Sequence, residues 1–378
     1  MSAPSFTVGI EEEFFLVDRV SRDLVTDPTT HVVEAAEKQM PGQISPEFLR
    51  CQIEVGTKVC KSVPEAGADL RALRNAVRSA AMEDGKAMIA ASTHPFAQWQ
   101  DQKPTDKDRY ATIAEDLQAV VRRLVICGMH VHVCIEDSDL RIDLMNQVRY
   151  FLPHLLVLST SSPFWRGENT GLRSYRCAVF KELPRTGLPE LFDSWGEYER
   201  HVRALTDAGL IEDSSKIWWD VRPSSRYPTL EMRMPDVCTR VEDSLTVAAF
   251  FQCLISMLYR LRRSNQRWRV YARMLVEENR WRAQRYGLDS GLVDFGIGKV
   301  VPYPELLEEL IELVMEDAER LGCVDQILNA RKIIQRGTSA HRQVSVYDEV
   351  LKATGDREKA LHAVVDMLIA DTAIGLDL

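Results

Sequence analysis

The segment Pro228-Thr-Leu-Glu-Met-Arg-Met-Pro235 alternates apolar with charged or polar side chains. In a β-strand, successive side chains point to opposite faces of the sheet. The apolar side chains of this segment can therefore enter a hydrophobic core, while Glu231 and Arg233 share the other face. The segment predicts a strand that presents a glutamate and an arginine side by side.

In three other short segments, two polar residues at positions i and i+2 likewise share one face of a predicted strand. The paired polar residues are Glu11 and Glu13 in residues 9–18, Gln52 and Glu54 in residues 50–56, and His130 and His132 in residues 128–135. Any one such segment is typical of an ordinary half-buried strand whose polar face contacts water. A solvated face usually mixes Lys, Thr and Ser with its acids, however, whereas these four faces carry Glu, His, Gln and a single Arg.

Carboxylates that are gathered with so few cations repel one another and must be neutralised. A divalent cation does this most directly, and oxygen ligands from Glu11, Glu13, Glu54 and Glu231 suit Mg²⁺ or Mn²⁺ better than zinc. Arg233 would repel such a metal unless an anion such as phosphate lay between them. The four strands therefore predict a metal site that also accepts an anionic group.

The overall composition excludes several classes of protein. The chain has 378 residues, of which 45% are hydrophobic, and a net charge of −9. A general nucleic-acid partner or an anionic membrane surface would require a basic protein. No apolar run approaches the length of about 20 residues that spans a bilayer, and no signal sequence is recognisable. The eight cysteines show no CxxC spacing and are expected to be reduced core residues. We expect a cytoplasmic, globular protein.

The predicted strands are separated by long helices, and their alternating pattern is typical of an antiparallel sheet. We predict an α+β fold with a curved, mostly antiparallel sheet, a polar concave face and helices packed outside it. The sheet should lie within residues 6–240, and residues 241–378 should be mainly helical, all in a single domain over 1–378. Individual helices are predicted for residues 105–126, 139–158 and 241–263, and three or so more after residue 304.

Two pairs of arginines lie close to predicted loops. Arg173 and Arg176 follow a loop of small and polar residues at 159–171, and two arginines placed there can grip a carboxylate. Arg222 and Arg226 lie between a predicted strand at 217–221 and the Glu231 strand, which should form a hairpin with it.

A set of motifs, in this order, closely resembles the carboxylate–amine ligase family, also called type 2 glutamate–cysteine ligases, over roughly residues 6–345. The motifs are GIEEEFFLVD at 9–18, CGMHVH at 127–132, SSPFWRG at 161–167, TGLRSYR at 170–176, WWDVRP at 218–223, TLEMRMPD at 229–236 and ENRWRAQRYG at 278–287. That family is similar to glutamine synthetase, so the resemblance implies a glutamine-synthetase-like catalytic domain.

The resemblance also implies ligand sets. Glu11, His130 and Glu231 would hold one metal ion, and Glu13 and Glu54 a second, for which glutamine synthetase supplies a further ligand that has no match here.

By the same resemblance, His132 and Arg233 would face the phosphates of ATP. Arg222 and Arg226 are candidates to add charge stabilisation beside Arg233. Arg173 and Arg176 are candidates to bind the α-carboxylate of the substrate.

The implied reaction uses ATP and Mg²⁺ or Mn²⁺. The side-chain carboxylate of glutamate attacks the γ-phosphate of ATP, and an amine then displaces phosphate from the acyl phosphate to give an amide. The expected activity is glutamate–cysteine ligation, as either a main or a weak activity, and the sequence leaves the natural amine open. A homodimer is a reasonable expectation for an enzyme of this size.

Two alternatives stay open at this point. A metal-dependent hydrolase could use the His130-x-His132 pair for zinc, although the other six histidines have no ligand-like spacing. A nucleotide-binding regulator could have kept the fold without catalysis. Neither alternative changes the predicted sheet.

Overall fold

A computed structural model describes residues 3–27, 29–105 and 123–376 of the chain. The strands of the described residues are β1 Val8–Asp18, β2 Ile44–Pro46, β3 Gln52–Gly56, β4 Lys86–Ile89, β5 Met129–Cys134, β6 Phe164–Trp165, β7 Glu168–Asn169, β8 Thr186–Gly187, β9 Trp218–Trp219, β10 Val221–Pro223, β11 Thr229–Met232, β12 Gly291–Asp294 and β13 Lys299–Pro302. The main sheet has seven strands in the order β10-β11-β5-β1-β3-β2, and β4 also pairs with β1. Every pairing in this sheet is antiparallel.

Helices make up most of the remaining described chain. The α-helices are Thr30–Gln39, Val63–Glu83, Ser138–Val148, Leu152–Ser159, Arg176–Phe180, Trp195–Asp207, Val241–Arg263, Arg273–Tyr286, Tyr303–Leu321, Val324–Leu328, Ala330–Arg336, Ser339–Thr354 and Arg357–Thr372. Mixed helix and antiparallel sheet confirm the predicted fold class.

The register of the sheet gathers the polar residues that the sequence places on strand faces. Glu11 pairs with His130 across β1 and β5, and Glu13 pairs with Glu54 across β1 and β3. Glu231 of β11 lies opposite His132 on β5 and opposite Arg222 on β10. The predicted hairpin between β10 and β11 is present.

The opposite face of the sheet is apolar except for Glu12 of β1, and it packs against two long helices. Helix Val63–Glu83 contacts β1, β3 and β4, and helix Val241–Arg263 contacts β5. The second helix is long and apolar enough to cross a membrane by length and composition, which differs from the sequence-based expectation that no such run exists. Because 83% of its most apolar window is buried inside the protein, it is accounted for as a core helix.

Several element boundaries differ from those expected. The helix predicted at 139–158 is two helices, because Pro153 at the start of the second one lacks an N–H and cannot continue the first. The strand predicted at 217–221 is divided, since β9 pairs in parallel with β8 while β10 joins the main sheet. Five helices follow residue 302 instead of about three. The helix predicted at 105–126 lies almost wholly outside the described residues.

One cluster of buried apolar side chains extends from Phe6 to Leu368 and includes residues of the sheet and of the helical C-terminal part. We therefore propose a single domain. All eight cysteines are buried and free, as expected for reduced core residues.

His94 is buried and serves the turn that follows β4. Its Nδ1 accepts hydrogen bonds from the backbone N–H groups of Phe96 and Ala97, and its Nε2 lies 2.9 Å from Arg22 O. Burial lowers the pKa of His94 to about 3 and that of His154 to about 4. The environment of His94 therefore favours a structural role over a catalytic one.

These two histidines predict a loss of stability in mild acid. The unfolded chain binds their protons near pH 6.5, whereas the folded chain does not until the pKa of each buried ring is reached. Stability should therefore fall below pH 6.5 by about 1.4 kcal/mol per pH unit for each histidine. Urea unfolding between pH 7.5 and 4.5 measures this slope. In His94→Asn, the Oδ1 atom of asparagine can replace Nδ1 as the acceptor. The change of the unfolding free energy per pH unit should then be smaller by the contribution of one histidine. An unchanged slope would contradict the assignment.

Candidate active site

A cavity of about 940 Å³ lies over the polar face of the main sheet. Ten of the eleven residues that the sequence assigns to a site line it, and Arg173 alone of that set does not. The ten are Glu11, Glu13, Glu54, His130, His132, Arg176, Arg222, Arg226, Glu231 and Arg233.

Three of these residues form a cluster that could hold a metal ion. One ligand atom from each of Glu11, Glu54 and His130 lies within 4.8 Å of the other two. His130 Nδ1 is 3.1 Å from Glu11 Oε2. This grouping differs from the one implied by family resemblance, because Glu54 stands where Glu231 was expected.

Glu231 is outside the cluster because its carboxylate forms hydrogen bonds with two arginines. Arg222 donates to both oxygens at 3.1 Å, and Arg233 Nη1 forms a short contact with Oε1. Burial alone would raise the pKa of Glu231, but the charges of Arg233 and Arg222 hold it well below its usual range. Glu231 is therefore ionised and serves as the counter-charge of two buried guanidinium groups.

The two arginines differ in the donors that they have left. Arg222 Nη1 donates to the backbone carbonyls of Ser215 and Ile217, at 2.9 and 2.6 Å, so its hydrogen-bonding capacity is largely used. Arg233 Nε is buried and has no hydrogen-bond partner among the described residues. Arg233 also approaches His130 Nδ1 at 3.5 Å. Arg233 is thus the guanidinium that can accept an additional anion beside the metal cluster.

The carboxylates of the cluster carry unbalanced negative charge. Burial raises the pKa of Glu54 well above its usual value, and the neighbouring charges of Glu47, Glu11 and Glu13 raise it further. Burial also works to raise the pKa of Glu11, but hydrogen bonds from His130 and from His132 hold it well below its ordinary value. A divalent cation would relieve the repulsion at Glu54 and would use the oxygen-rich ligand set that Mg²⁺ and Mn²⁺ prefer.

His132 is oriented by the end of β11. Its Nδ1 lies 2.9 Å from Thr229 Oγ1, and its Nε2 lies 3.4 Å from Glu11 Oε1. Burial lowers the pKa of His132, but the contact with Glu11 and the charge of Glu231 outweigh this, so the net shift is upward. His132 therefore lines the cavity as a ring whose protonated form is favoured by its acidic neighbours.

Glu13 is held apart from the cluster. Its Oε2 accepts a hydrogen bond of 2.7 Å from the backbone N–H of Gly128. The residue nevertheless lines the cavity beside Glu54, its partner across the sheet. Glu13 therefore belongs to the wall of the cavity but not to the three-residue cluster.

The structure separates the two arginines that follow the loop at 159–171. Arg176 is buried, lines the cavity and donates to the backbone carbonyls of Arg233 and Met234 at 3.1 Å. Its Nε has no hydrogen-bond partner within the described chain. Arg173 instead pairs with Asp289 outside the cavity, so the geometry does not support its assignment to the substrate.

Asp236 connects the loop at 159–171 to the segment that contains Glu231. Its buried carboxylate accepts hydrogen bonds from Ser161 N–H and from the hydroxyls of Ser162 and Ser174, at 2.7 to 2.9 Å. Asp236 is the last residue of the TLEMRMPD motif, and the alternation of the strand gives no signal for this role. The loop positions Arg176 and is not itself part of the cavity floor.

Gly128 makes room for Arg176. A Cβ at Gly128 would lie 2.5 Å from Arg176 Nη2 and 3.1 Å from its Cζ. We expect Gly128→Ala to displace the guanidinium, and to raise the KM of the carboxylate substrate about tenfold or more because a charged hydrogen-bond partner is lost. Steady-state kinetics with the carboxylate varied measure this effect.

Gly9→Ala is the matched control, because its Cβ would meet nothing closer than His132 Cβ at 3.9 Å. An unchanged KM in Gly128→Ala would show that the position of Arg176 does not affect substrate binding.

Comparisons with known proteins identify the relatives of this chain. A model described as glutamate-cysteine ligase family 2 matches residues 7–365. A protein of Rhodospirillum rubrum with the provisional name glutamate–cysteine ligase 2 is 63% identical over 380 residues, which cover 100% of this chain and 98% of that protein. One of Jannaschia sp. with the same provisional name is 55% identical over 371 residues, which cover 98% of each chain.

Two solved structures share the fold. A bifunctional glutathione synthetase from Pasteurella multocida has a TM-score of 0.69 and 15% identity, over 97% of this chain and 52% of that one. A glutamate–cysteine ligase from Francisella tularensis in complex with AMP has a TM-score of 0.67 and 14% identity, over 97% of this chain and 92% of that one.

These findings confirm the family, the fold class and the enzyme class that the motifs predict. The family match extends over nearly the whole chain, and the relatives align along almost their full length. The chain therefore belongs to glutamate-cysteine ligase family 2.

Proposed function

We propose that this enzyme is an ATP-dependent carboxylate–amine ligase that joins the side-chain carboxylate of glutamate to an amine, with cysteine as the first amine to test. The observation that carries the proposal is a single cavity in which a metal-binding cluster lies beside two arginines with unused donors, Arg233 and Arg176. The names of the relatives support glutamate and cysteine as substrates.

The reaction balances in two steps. A carboxylate oxygen of glutamate attacks the γ-phosphorus of ATP, and the bond to the β-bridging oxygen breaks to release ADP. The amine nitrogen then attacks the carbonyl carbon of the acyl phosphate. Phosphate leaves with the former carboxylate oxygen, and the amine loses a proton. The amide is thus formed at the cost of one ATP.

Glu11, Glu54 and His130 would hold a Mg²⁺ or Mn²⁺ ion, and Glu13 would contribute to a second one. A bound cation neutralises the phosphate oxygens as charge moves between them during phosphoryl transfer. The acidic excess at Glu54 supports this fit, as does the oxygen-rich ligand set. A zinc hydrolase is not favoured, because the cluster found among the described residues contains a single histidine.

Arg233 and His132 would bind phosphate oxygens. Arg233 has the unused Nε donor described above, and His132 lines the cavity where neighbouring glutamates favour its protonated form. Arg222 would act indirectly, because it holds Glu231 and its own donors are already bonded. Arg226 lies exposed at the tip of the β10–β11 hairpin and reaches the cavity from outside.

Arg176 would hold the α-carboxylate of glutamate. In the described structure its guanidinium is bonded to backbone carbonyls and forms no ion pair with a carboxylate. A buried cation without such a partner favours an anionic substrate group. The cavity lies near the upper end of the usual range for small-molecule sites, so a nucleotide and an amino acid can bind together.

These substrates are small molecules of the cytoplasm, and we propose that compartment for the enzyme. The homodimer expected from chain length stays a prediction.

The proposal is tested by ADP release with Mg-ATP, glutamate and a panel of amines that includes cysteine. Mass spectrometry of the products identifies any new amide. We expect ADP and an amide to appear in equal amounts, and the panel then shows which amine is used. ADP that forms equally without any amine, and without an amide product, would indicate an ATPase and contradict the proposal.

A further inference from the structure

Glu12 lies between the two cavity-facing glutamates of β1 but points to the opposite side of the sheet. Arg74 donates two hydrogen bonds to its carboxylate, from Nε to Oε2 at 2.8 Å and from Nη2 to Oε1 at 2.7 Å. Both side chains have no exposed surface. A fully buried ion pair therefore stands directly behind the catalytic face of β1, and neither residue lines the cavity.

The same guanidinium also contacts the chain that follows Arg233. Arg74 Nη1 donates to Thr239 O at 2.8 Å, and Nη2 donates to Cys238 O at 2.9 Å. Ser244, in helix Val241–Arg263, donates a short hydrogen bond to Glu12 Oε1. One side chain thus connects β1 to the segment that continues from the Glu231 strand.

The energetics favour a geometric role for this pair. Removing two ions from water is costly, and apolar residues of similar volume can often replace a buried pair without loss of stability. Charge-assisted, bidentate hydrogen bonds are instead strongly directional. An apolar contact would allow β1 to shift, and a displacement of about 1 Å can cost about 10²-fold in rate.

We propose that the Arg74–Glu12 ion pair is a positioning device that fixes β1 against the Cys238–Thr239 segment. By fixing β1, the ion pair holds Glu11 and Glu13 in the position that places Glu11 beside Glu54 and His130. Its kinetic consequences rest on the proposed function, whereas its effect on cation binding rests on the cluster alone.

The test replaces both residues, as Glu12→Leu with Arg74→Met. Mn²⁺ binding is measured by electron paramagnetic resonance, stability by thermal unfolding, and ligation by steady-state kinetics. We expect the double variant to fold, with an unfolding midpoint lowered by the loss of the hydrogen bonds that Arg74 donates to Thr239 O and Cys238 O. Its Kd for Mn²⁺ should rise about tenfold or more, as for loss of a group that orients metal ligands, and kcat should fall about 10²-fold.

The matched control is Asp317→Leu with Arg260→Met. Asp317 is likewise buried and pairs with Arg260 between two helices. Its hydrogen bonds come from Arg260, Arg320 and Ser256, none of which belongs to β1. The control should leave the Mn²⁺ affinity unchanged.

Each remaining outcome decides the proposal. A folded double variant with wild-type Mn²⁺ affinity would overturn it. If the double variant does not fold, Ser244→Ala and Arg74→Lys replace it: a weaker Mn²⁺ affinity supports the proposal and a wild-type affinity overturns it. A wild type that binds Mn²⁺ but ligates nothing would contradict only the proposed function, and a wild type that binds no Mn²⁺ would overturn the positioning role.

Discussion

Replacing Glu11 with glutamine is expected to lower kcat by about 10²–10³-fold, the usual effect of removing one preorganised group that stabilises developing charge. Glu11 contributes to the cluster with Glu54 and His130, and it also contacts His132. The amide keeps the shape of the side chain but removes the negative charge that a cation requires. Mn²⁺ binding should therefore weaken together with kcat. Both are measured on the same preparation, by electron paramagnetic resonance and by ADP release.

Glu136→Gln is the matched control for this experiment. Glu136 allows the same Glu→Gln change in the neighbouring cleft beside helix Trp195–Asp207, and it does not line the cavity that holds Glu11. We expect it to leave both kcat and Mn²⁺ affinity unchanged. A Glu11→Gln enzyme that kept wild-type turnover and wild-type Mn²⁺ binding would refute the metal cluster.

Replacing Arg233 with methionine is expected to lower kcat by a similar factor of about 10²–10³. Methionine preserves much of the volume of the side chain but removes the charge. Arg233 is the guanidinium beside the cluster that retains an unused donor, so it is placed to stabilise the transferring phosphoryl group. The loss should appear in kcat when ATP and glutamate are both saturating.

Arg226→Met and Arg222→Met separate this role from simple loss of charge. Arg226 is exposed, so its removal should have a small effect on kcat. Arg222 binds Glu231 and two backbone carbonyls, and we expect its removal to lower the unfolding midpoint because Glu231 loses a buried partner. If Arg233→Met loses stability but keeps kcat, the arginine holds Glu231 and does not act on phosphate.

The sheet could be predicted because strand alternation is a local property of the sequence. Each of the four polar faces has period two, and the structure places all four in one antiparallel sheet. Glu12 shows the limit of this reasoning. The pattern assigns it to the back face of β1, but its ion pair with Arg74, 62 residues further along the chain, has no local signal.

Which residues meet in the metal cluster also depends on more than the local alternation along each strand. Glu11, Glu54 and Glu231 all belong to the predicted polar face, but which of them meet depends on the register between strands and on competition from arginines. Arg222 lies opposite Glu231 only because β10 and β11 form their hairpin in this register. A cluster of carboxylates and arginines could be predicted from the sequence. The ion pairs that Glu231 forms with two arginines could not.

The two loop arginines illustrate the same point. Arg173 and Arg176 are three residues apart, and nothing in the local sequence distinguishes their roles. Their environments differ because Arg176 begins a short helix beneath the Met234 carbonyl, whereas Arg173 remains in the loop and meets Asp289. The glycine that admits Arg176 against β5 is present in the CGMHVH motif, and its small size was the available signal.

The central claim is that glutamate is activated as an acyl phosphate in this cavity. The most direct measurement uses glutamate labelled with ¹⁸O in its side-chain carboxylate, together with Mg-ATP and the amine that supports ligation. Mass spectrometry of the released phosphate follows the label. The account predicts one ¹⁸O atom in each phosphate formed from labelled glutamate, because the carboxylate oxygen leaves with the phosphoryl group. Amide formation with unlabelled phosphate would contradict it.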